Sequence, residues 1–310
     1  MNVLFVCSGN RGLSPITKNQ GDSLEKIGIA IQYFLIQGKG VKGYIRNARL
    51  LRQKLTENRF DVVHAHYSLS AFAASLAGAK PLVVSLMGSD VKARGLYKFI
   101  IKAFSYFFRW RKIIVKSEDM KESLGMADAE IIPNGVNVDR FCVIDKKECQ
   151  RKLGWCYEKK HVLFPSDPAR YEKNFNLLQK SVDLIDDSNI EIHCLIDIPN
   201  EQTPLWYNAS DVVAMSSLWE GSPNAIKEAM ACRRPIVTTN VGDVAFNLSN
   251  LEGCYVADNS TEHYASLLRK ALLFDANTMG RERIDQLGLS SQQIASRLSR
   301  LYYEVAKNQK

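Results

Sequence analysis

The chain of 310 residues lacks long apolar runs and paired cysteines. Its apolar stretches fall well short of the roughly 18 residues that a membrane-spanning helix needs. The apolar start from Val3 to Cys7 is also shorter than the core of a secretory signal peptide. The seven cysteines are scattered without a C-x2-C pair, which argues for reduced thiols and against a zinc site. We therefore expect a cytoplasmic protein with no bound metal.

Acidic residues are scarce in the first half of the chain. Residues 1–140 carry 21 Lys and Arg against 11 Asp and Glu, a net charge of +10, whereas residues 141–310 carry 20 against 22, a net charge of −2. A chain of this length suits two domains, each large enough to bury a core. The overall charge of +8 also leaves a nucleic-acid-binding protein as a remote alternative, for which the acidic second half forms a poor groove.

Strand and helix patterns alternate along the first half. Buried-strand patterns occur at Asn2 to Cys7, Ile29 to Phe34, Asp61 to His64, Leu82 to Leu86, Ile113 to Lys116 and Glu130 to Ile132. Helical patterns such as Tyr44 to Thr56 lie between them. This alternation predicts an α/β fold with a parallel sheet covered by helices on both faces.

A strand, a tight loop and a helix start lie around two glutamates in the second half. Asp211 to Met215 has a buried-strand pattern, and Ser222 and Pro223 suit the N-cap and the first helical position. Ligands of open α/β sheets bind at the carboxyl ends of strands, and the amides of a first helical turn favour a phosphate or diphosphate. Glu220 would precede the helix, and Glu228 inside it could bind a ribose diol. The alternative is a capped helix with two solvated glutamates.

The wider stretch around Glu220 resembles a known family signature. The Glu-x7-Glu pattern lies within EGSPNAIKEAMA and is followed by RPIVTTNVG at residues 234–242. Together they resemble the donor site of family-4 glycosyltransferases of the GT-B fold. The resemblance implies two Rossmann-like domains facing each other across a cleft, and retaining transfer of a hexose-type sugar from a nucleotide-sugar to a saccharide acceptor. It implies no cofactor besides this co-substrate. The lack of a D-x-D motif near the cleft is consistent with a metal-independent reaction.

The same resemblance divides the chain. The turn Pro133 to Asn137 (PNGVN) is similar to the family's interdomain hinge. We expect an acceptor-binding domain at 1–140, a nucleotide-sugar-binding domain at 141–288, and a C-terminal helix at 289–310 that packs back on the first domain. Between strand Glu191 to Ile196 and the next strand only Asp197 to Ser210 remain, where the family has a helix and a strand. The second domain is therefore expected to be shortened.

Site residues follow from the resemblance and from the loops at strand ends. Lys173 matches a lysine that grips the donor diphosphate, whereas Arg170 is displaced from the usual position. Met87 occupies the position of a donor-contacting histidine, and since a thioether cannot donate a hydrogen bond, Asp90 is the remaining polar candidate. We expect Glu220 and Asp90 to be catalytic; Arg170, Lys173, Gly221, Ser222, Pro223, Asn224 and Glu228 to bind the donor; and Gly9, Asn10, His66 and Gly88 to line the acceptor side or the cleft.

Two segments of the first half allow other interpretations. The loop from Cys7 to Pro15 is similar to that of low-molecular-weight tyrosine phosphatases, but Leu13 occupies the position of the required arginine. Without that guanidinium we expect an ordinary cysteine and a loop whose glycines let the backbone approach a ligand. His64 and His66 end a strand, and we expect them on opposite sides of it, each more often structural than ligand-binding.

A basic and aromatic segment follows. From Lys92 to Lys116 there are eight basic residues, no acidic ones and seven aromatic rings. On one helix, Lys98, Lys102, Ser105, Arg109 and Lys112 would form a polar stripe. The segment 95–116 could dock on an anionic membrane surface that presents a lipid-linked acceptor, or it could be a deeply packed helix with solvated basic residues. A nucleotide-sugar-binding protein without transferase activity is a further alternative, because of Met87 and the shortened second domain.

Overall fold

The computed structural model describes residues 1–10, 12–38, 40–91 and 95–307, with only the backbone of Val41 and Val91. Two of the basic residues discussed above, Lys92 and Arg94, lie outside the described residues. The chain forms two compact units: Met1–Gly135 together with the segment that begins at Ser291, and Val136–Ser290.

The first unit is built on a six-stranded parallel sheet. Its strands are β1 (Asn2–Ser8), β2 (Ala30–Ile36), β3 (Val62–His66), β4 (Leu82–Ser85), β5 (Lys112–Val115) and β6 (Glu130–Ile131), in the order β2-β1-β3-β4-β5-β6. Its helices are α1 (Pro15–Glu25), α2 (Gly40–Glu57), α3 (Ser68–Ala77), α4 (Gly88–Val91), α5 (Gly95–Phe107) and α6 (Glu118–Leu124). All strand pairs are parallel, as the sequence alternation predicts.

Strand β1 is apolar from Val3 to Cys7 because both of its faces are buried. Leu4 and Val6 pack into one core with Val63. Val3 and Phe5 point to the other face and pack into a separate core. Because successive side chains of a strand point to opposite faces, a strand covered on both faces needs a continuous apolar run.

The second unit is built on a five-stranded parallel sheet. Its strands are β7 (Lys160–Phe164), β8 (Ile190–Cys194), β9 (Val212–Met215), β10 (Ile236–Thr239) and β11 (Cys254–Ala257), in the order β11-β10-β9-β7-β8. Its helices are α7 (Lys146–Leu153), α8 (Phe175–Ile185), α9 (Thr203–Ala209), α10 (Asn224–Ala231), α11 (Val244–Asn247), α12 (Thr261–Leu272) and α13 (Gly280–Leu287). Between β8 and β9 the chain forms only the short helix α9, so the predicted shortening is confirmed.

The last helix, α14 (Ser291–Lys307), belongs to the first unit. Its buried face includes Leu298, Leu301, Tyr302 and Val305, which pack with Phe5. The chain therefore crosses from the first unit to the second and returns. The side chain of Asn19 on α1 fixes this return, since its amide donates to Gly135 O at 3.2 Å and Ser291 Oγ at 2.9 Å.

Helix α5 is shorter than the helix that the pattern of the basic segment predicted. It ends at Phe107, Arg109 has a φ of 52°, and Lys112 lies on β5. The predicted stripe from Lys98 to Lys112 on one helix is therefore wrong, because the chain turns before completing it. Within the described parts of the chain, no helix is long and apolar enough to cross a membrane.

Candidate functional site

The loops that follow β7 and β9 are joined at the carboxyl edge of the second sheet. The two strands are neighbours, with Val162 paired to Val212, so their following loops meet. Ser216 Oγ donates to the carbonyl oxygens of Lys173, at 3.1 Å, and Asn174, at 2.9 Å. These bonds hold the single 3-10 turn Tyr171–Lys173 against the loop that carries Glu220.

Lys173 and Glu220 form an ion pair in this position. The Lys173 ammonium contacts Glu220 Oε1, and Ser217 Oγ donates to the same oxygen at 3.0 Å. The side chains of Lys173 and Glu220 are 16% and 18% exposed, so solvent screens the pair less than a surface pair. An ammonium carries three N–H donors, so Lys173 can stay paired with Glu220 and still donate to a phosphate oxygen.

The start of α10 differs from the sequence prediction. The N-cap residue is Pro223, whose side chain has no polar group to cap the helix. The prediction of Ser222 as N-cap is therefore wrong. Ser222 Oγ instead donates to Asp243 Oδ2 at 2.6 Å and accepts from Lys227 Nζ at 2.8 Å. The fully buried Lys227 and the partly buried Asp243 bind this hydroxyl, because leaving a buried charge without a partner costs more free energy than leaving a helix amide uncapped.

Buried acceptors lie near this helix start. Asn224 Oδ1 and Asp243 Oδ1 are buried and have no hydrogen-bond partner among the described residues. Lys227 is fully buried, and burial lowers its pKa while Asp243 and Glu228 oppose that change. Buried polar atoms are nearly always paired in folded proteins, so these two oxygens leave unused acceptor capacity beside the start of α10.

Glu228 lies one turn into α10 and faces α9. Its Oε2 accepts a hydrogen bond from the Tyr207 hydroxyl at 2.8 Å. Burial raises the pKa of Glu228, while the Tyr207 bond and the positive charges of Arg140 and Lys227 act in the opposite direction. Glu228 is therefore held in one orientation, as a carboxylate that binds a diol must be.

Gly242 allows the loop that carries Glu220 to pack closely against the loop after β10. Gly242 has a φ of 57°, and a Cβ on it would lie 2.4 Å from Gly221 O and 3.2 Å from Glu220 O. The loop after β9 and the loop after β10 therefore touch through their backbones. A side chain at Gly242 would push the Glu220 backbone out of position.

Arg170 is not joined to this cluster. Its guanidinium pairs with Glu172 Oε1, with Nη2 at 2.5 Å and Nε at 2.9 Å, and about half of its side chain is exposed. The structure thus brings Lys173, predicted to bind the donor, together with Glu220, predicted to be catalytic. It places Gly221, Ser222, Pro223, Asn224 and Glu228 along the adjoining loop and helix.

Asp90 in the first unit is a buried loop anchor. Its Oδ1 accepts from Ser68 Oγ at 2.5 Å and its Oδ2 from Met87 N at 2.7 Å, and its side chain is fully buried. Burial raises its pKa to about 6, against the lowering effect of the hydrogen bonds from Met87 and Ser68. This burial argues against the predicted catalytic contact, because protein donors already bond both carboxylate oxygens. Gly88 begins the four-residue helix that carries Asp90.

His64 and His66 lie on the same face of β3, so the prediction that they lie on opposite sides is wrong. Residues i and i+2 of a strand share a face, and the two rings stack with centroids 4.3 Å apart. His64 is hydrogen-bonded to the Tyr302 hydroxyl at 2.6 Å and to Ser85 Oγ at 2.9 Å. His66 is buried, and neither ring nitrogen has a hydrogen-bond partner among the described residues. Burial, helped by the charge of Lys116, lowers its pKa to about 3.

The loop after β1 is occupied by contacts within the protein. A Cβ on Gly9 would lie 2.6 Å from the Leu35 side chain, so the packing of β1 against β2 requires glycine there. Asn10 Oδ1 accepts from Gly38 N at 2.8 Å, and its amide donates to Gly38 O at 3.2 Å. Burial raises the pKa of Cys7 to about 11, which keeps the thiol protonated and unreactive.

Solved structures share this fold across the whole chain. Sucrose-phosphate synthase from Thermosynechococcus elongatus matches with a TM-score of 0.81 at 15% identity over 98% of each chain. HepE of Anabaena, in complex with UDP and glucose, matches with a TM-score of 0.75 at 14% identity over 97% of this chain and 98% of its own. The chain has the predicted GT-B fold.

Two family models match the sequence. The model described as Glycosyltransferase Family 4 covers residues 2–140, and the one described as Glycosyl transferases group 1 covers residues 178–273. The chain thus carries a family 4 glycosyltransferase domain followed by a domain of glycosyl transferases group 1. The second match contains Glu220, Glu228 and the other residues of α10.

Two curated relatives of this family-4 protein act in glycan assembly, according to their names. TuaC of Bacillus subtilis, assigned to teichuronic acid biosynthesis as a glycosyltransferase, is 25% identical over 65% of this chain and 58% of its own length. The UDP-Gal:alpha-D-GlcNAc-diphosphoundecaprenol alpha-1,3-galactosyltransferase of Escherichia coli is 26% identical over 74% of this chain and 70% of its own. The alignment thus spans less than two thirds of the length of TuaC.

Sequence reasoning missed the residues that support the glutamates of this glycosyltransferase. Ser217 bonds Glu220, Tyr207 bonds Glu228, and Lys227 and Asp243 bond Ser222. A charged residue directly beside Glu228 in a buried helix was a signal for Lys227, since Lys is seldom fully buried without a partner. Tyr207 and Asp243 lie on other elements, and no spacing in the sequence relates them to their partners. Ser217 lies three residues before Glu220 in the same loop, but this short spacing alone does not predict a hydrogen bond between them.

Proposed function

We propose that this family-4 protein transfers a hexose-type sugar from a nucleotide-sugar to a lipid-linked saccharide during surface polysaccharide assembly. The observation that carries the proposal is the Lys173–Glu220 ion pair beside the start of α10, with Glu228 one turn further along the helix. This arrangement provides a cation for a diphosphate and carboxylates for sugar and ribose hydroxyls. UDP is the nucleotide to test first, because HepE was solved with UDP-glucose and the E. coli relative is named for UDP-Gal.

The proposed reaction begins with departure of the nucleoside diphosphate from the anomeric carbon. Negative charge develops on the leaving phosphate, and preorganised donors stabilise it most effectively. Lys173 supplies one such donor, and the first-turn amides of α10 supply others with the positive end of the helix dipole. Glu220, oriented by Lys173 and Ser217, binds sugar hydroxyls and fixes the anomeric carbon.

Glu228 is proposed to bind the ribose of the donor. A ribose diol offers two hydroxyl donors, and the carboxylate retains acceptor capacity beyond the Tyr207 bond. Arg170 is proposed to play a lesser part, since its guanidinium is paired with Glu172. The reaction is proposed to retain the anomeric configuration and to need no metal at the diphosphate, because Lys173 and the helix amides neutralise its charge.

A thermal-shift panel of UDP-, GDP- and ADP-sugars tests donor binding. We expect one nucleotide class to raise the Tm of the wild-type protein, since a ligand that binds only the folded state stabilises it. Lys173→Gln and Glu228→Gln should reduce the shift, whereas Glu148→Gln, a change in an exposed ion pair on α7, should not. Shifts of equal size in all four proteins would contradict the proposed site.

A transfer assay tests the chemistry. With a labelled donor and a lipid-linked saccharide, Lys173→Gln should lower kcat by roughly 10²–10³-fold, as removal of one transition-state donor typically does. Proton NMR of the product should show the anomeric configuration of the donor, and added Mg²⁺ should leave the initial rate unchanged. A product of inverted configuration would exclude the retaining mechanism.

A further inference from the structure

A histidine pair and a glutamate lie together on one face of the second sheet, outside the site described above. β7 and β8 pair in parallel with His161 opposite Glu191 and Leu163 opposite His193. Opposed residues of neighbouring strands share a face, and so do residues i and i+2. The register alone therefore places His161, Glu191 and His193 side by side.

The side chains converge through three atoms. His161 Nδ1 lies 2.9 Å from His193 Nε2, and Glu191 Oε2 lies 3.7 Å from the first and 3.9 Å from the second. A tetrahedral zinc ion with bonds of about 2.0–2.1 Å separates its ligand atoms by roughly 3.3 Å. The three observed separations bracket that value, so an ion fits among these atoms after side-chain shifts of a few tenths of an ångström.

The surroundings orient both imidazoles as metal ligands are oriented. His161 Nε2 lies 2.8 Å from Cys156 O, so this nitrogen carries the proton and Nδ1 presents its lone pair to His193. Metal-ligating histidines commonly donate their second nitrogen to a backbone carbonyl in this way. The His193 ring stacks on Trp155, with centroids 3.6 Å apart and planes at 9°.

The charges of the cluster also suit a cation. Glu191 pairs with Lys159 at 2.7 Å and is partly exposed, which leaves solvent a path to its carboxylate. Two imidazoles and one carboxylate form a donor set that zinc and similar ions accept.

We propose that His161, Glu191 and His193 bind a divalent transition metal of the zinc class, which ties β8 at the edge of the sheet to β7. The scattered cysteines argue against a zinc-finger type of site, but they do not bear on a site made by histidines on neighbouring strands. None of the three ligands takes part in the proposed donor site. The metal is therefore proposed to stabilise the second unit rather than to act in sugar transfer.

Metal titration of the purified full-length chain tests this proposal. After treatment with a chelator and its removal, Zn²⁺ should bind with one equivalent in competition with a chromophoric chelator, and should raise the Tm. Co²⁺ should give the visible d–d absorption of a nitrogen and oxygen site. His193→Gln and Glu191→Gln should each weaken Zn²⁺ binding by at least the roughly 10–100-fold that loss of a supporting partner costs.

Two control variants separate this site from other binding. His263→Gln changes a partly exposed histidine paired with Asp258, and Cys156→Ser changes an exposed thiol nearby; both should bind Zn²⁺ like the wild type. Circular dichroism checks that His193→Gln folds, and Glu191→Gln, whose side chain is partly exposed, provides the second measurement. Unchanged affinity in both ligand variants, or thiolate charge-transfer bands with Co²⁺, would show that the imidazoles form only an internal hydrogen bond and would overturn the proposal.

Discussion

At Asp90, Glu220 and Glu228 the carboxyl group meets three different surroundings. Asp90 is buried with both oxygens bonded within the protein, Glu220 is partly exposed and paired with Lys173, and Glu228 is bonded to Tyr207. Burial raises the pKa of Asp90 and of Glu228. The surroundings of a carboxyl group therefore decide its role: Asp90 anchors a loop, whereas Glu220 keeps an exposed part that a ligand can contact.

Asp90 predicts a pH dependence of stability. Its folded pKa is raised from 3.8 to about 6, so the folded state binds the proton more tightly than the unfolded state. The stability contributed by this group is complete below pH 4 and is lost as the pH rises through 6, by roughly 3 kcal/mol at about 1.4 kcal/mol for each pKa unit. Urea unfolding from pH 4 to 7 should show this loss relative to Asp90→Asn. The control is Asp183→Asn, which removes an exposed carboxyl group on α8. The difference in unfolding free energy between wild type and this control should not show the loss between pH 4 and 7.

Gly242 predicts a local distortion of the donor site. Gly242→Ala places a Cβ against the backbone of Gly221 and should cost more than the roughly 1–2 kcal/mol of a left-handed alanine. Gly154→Ala is the matched control, because Gly154 also has a positive φ but a Cβ there meets nothing within 4 Å. Both variants are compared by urea unfolding and by the thermal shift with the donor. A donor response that Gly242→Ala preserves in full would contradict the role of this backbone contact.

Helix α10 shows how tertiary contacts override a local signal. The Ser-Pro pair correctly predicted a helix start within one or two residues. Its serine nevertheless bonds Asp243 and Lys227 instead of capping the helix. The helix begins where Pro223 sets the backbone, and the serine holds a loop that arrives from another strand.

Helix α5 presents large apolar side chains to solvent. The exposed ones are Leu96, Phe99, Tyr106 and Phe107, which we call the apolar face of α5. Lys102 is exposed near them, while Lys98 donates to Ser123 Oγ at 2.7 Å. The packed-helix interpretation holds for Ile101 and Phe104, which pack toward the core. Contact with an anionic membrane is a proposal for the opposite side.

The apolar face of α5 predicts lipid binding that can be measured by liposome co-sedimentation. Phe99→Ser with Phe107→Ser should lower recovery on anionic vesicles, because aromatic rings enter the interface. Lys102→Glu should lower it further, since each basic residue near the surface contributes about 1 kcal/mol. Leu273→Ser removes an equally exposed apolar residue from the second unit and should behave as wild type. Equal recovery of all variants would remove the membrane proposal.

Helix α14 packs into a core of the first unit. Helix α14 completes one core of the first unit although almost the entire second unit separates it in sequence from that core. Leu298 is fully buried there, whereas Tyr303 on the same helix is half exposed. The stability of the first unit therefore depends on the buried face of α14.

Leu298→Ala should destabilise the first unit by about 2–5 kcal/mol, the usual cost of a cavity at a buried leucine. Tyr303→Ala should change the free energy of unfolding far less, within about 0.5 kcal/mol. Denaturant unfolding of the two variants measures both effects. Equal stabilities would mean that α14 does not pack as described.

Much of the fold follows from local patterns. The helical pattern at 44–56, the apolar strands and the αβ alternation depend on residue order along one element, and they are confirmed. The resemblance of residues 219–242 to a donor site led to the family and to the GT-B fold. Periodicity was misread at His64 and His66, although strand geometry itself places residues i and i+2 on one face.

The parallel sheets, the loop around Glu220 and the family signature follow from the sequence, because each depends on residues that are contiguous along the chain. The partners of the site residues depend on contacts between distant elements: Asp243 for Ser222, Tyr207 for Glu228, and His193 for His161. These pairs come from loops that meet at one sheet edge, from the packing of two helices and from strand register. Burial, which turns Asp90 into an anchor and keeps His66 neutral, likewise depends on elements distant in sequence. The pKa and the hydrogen-bond partners of a side chain depend on neighbouring groups, and folding brings those groups together from distant parts of the chain.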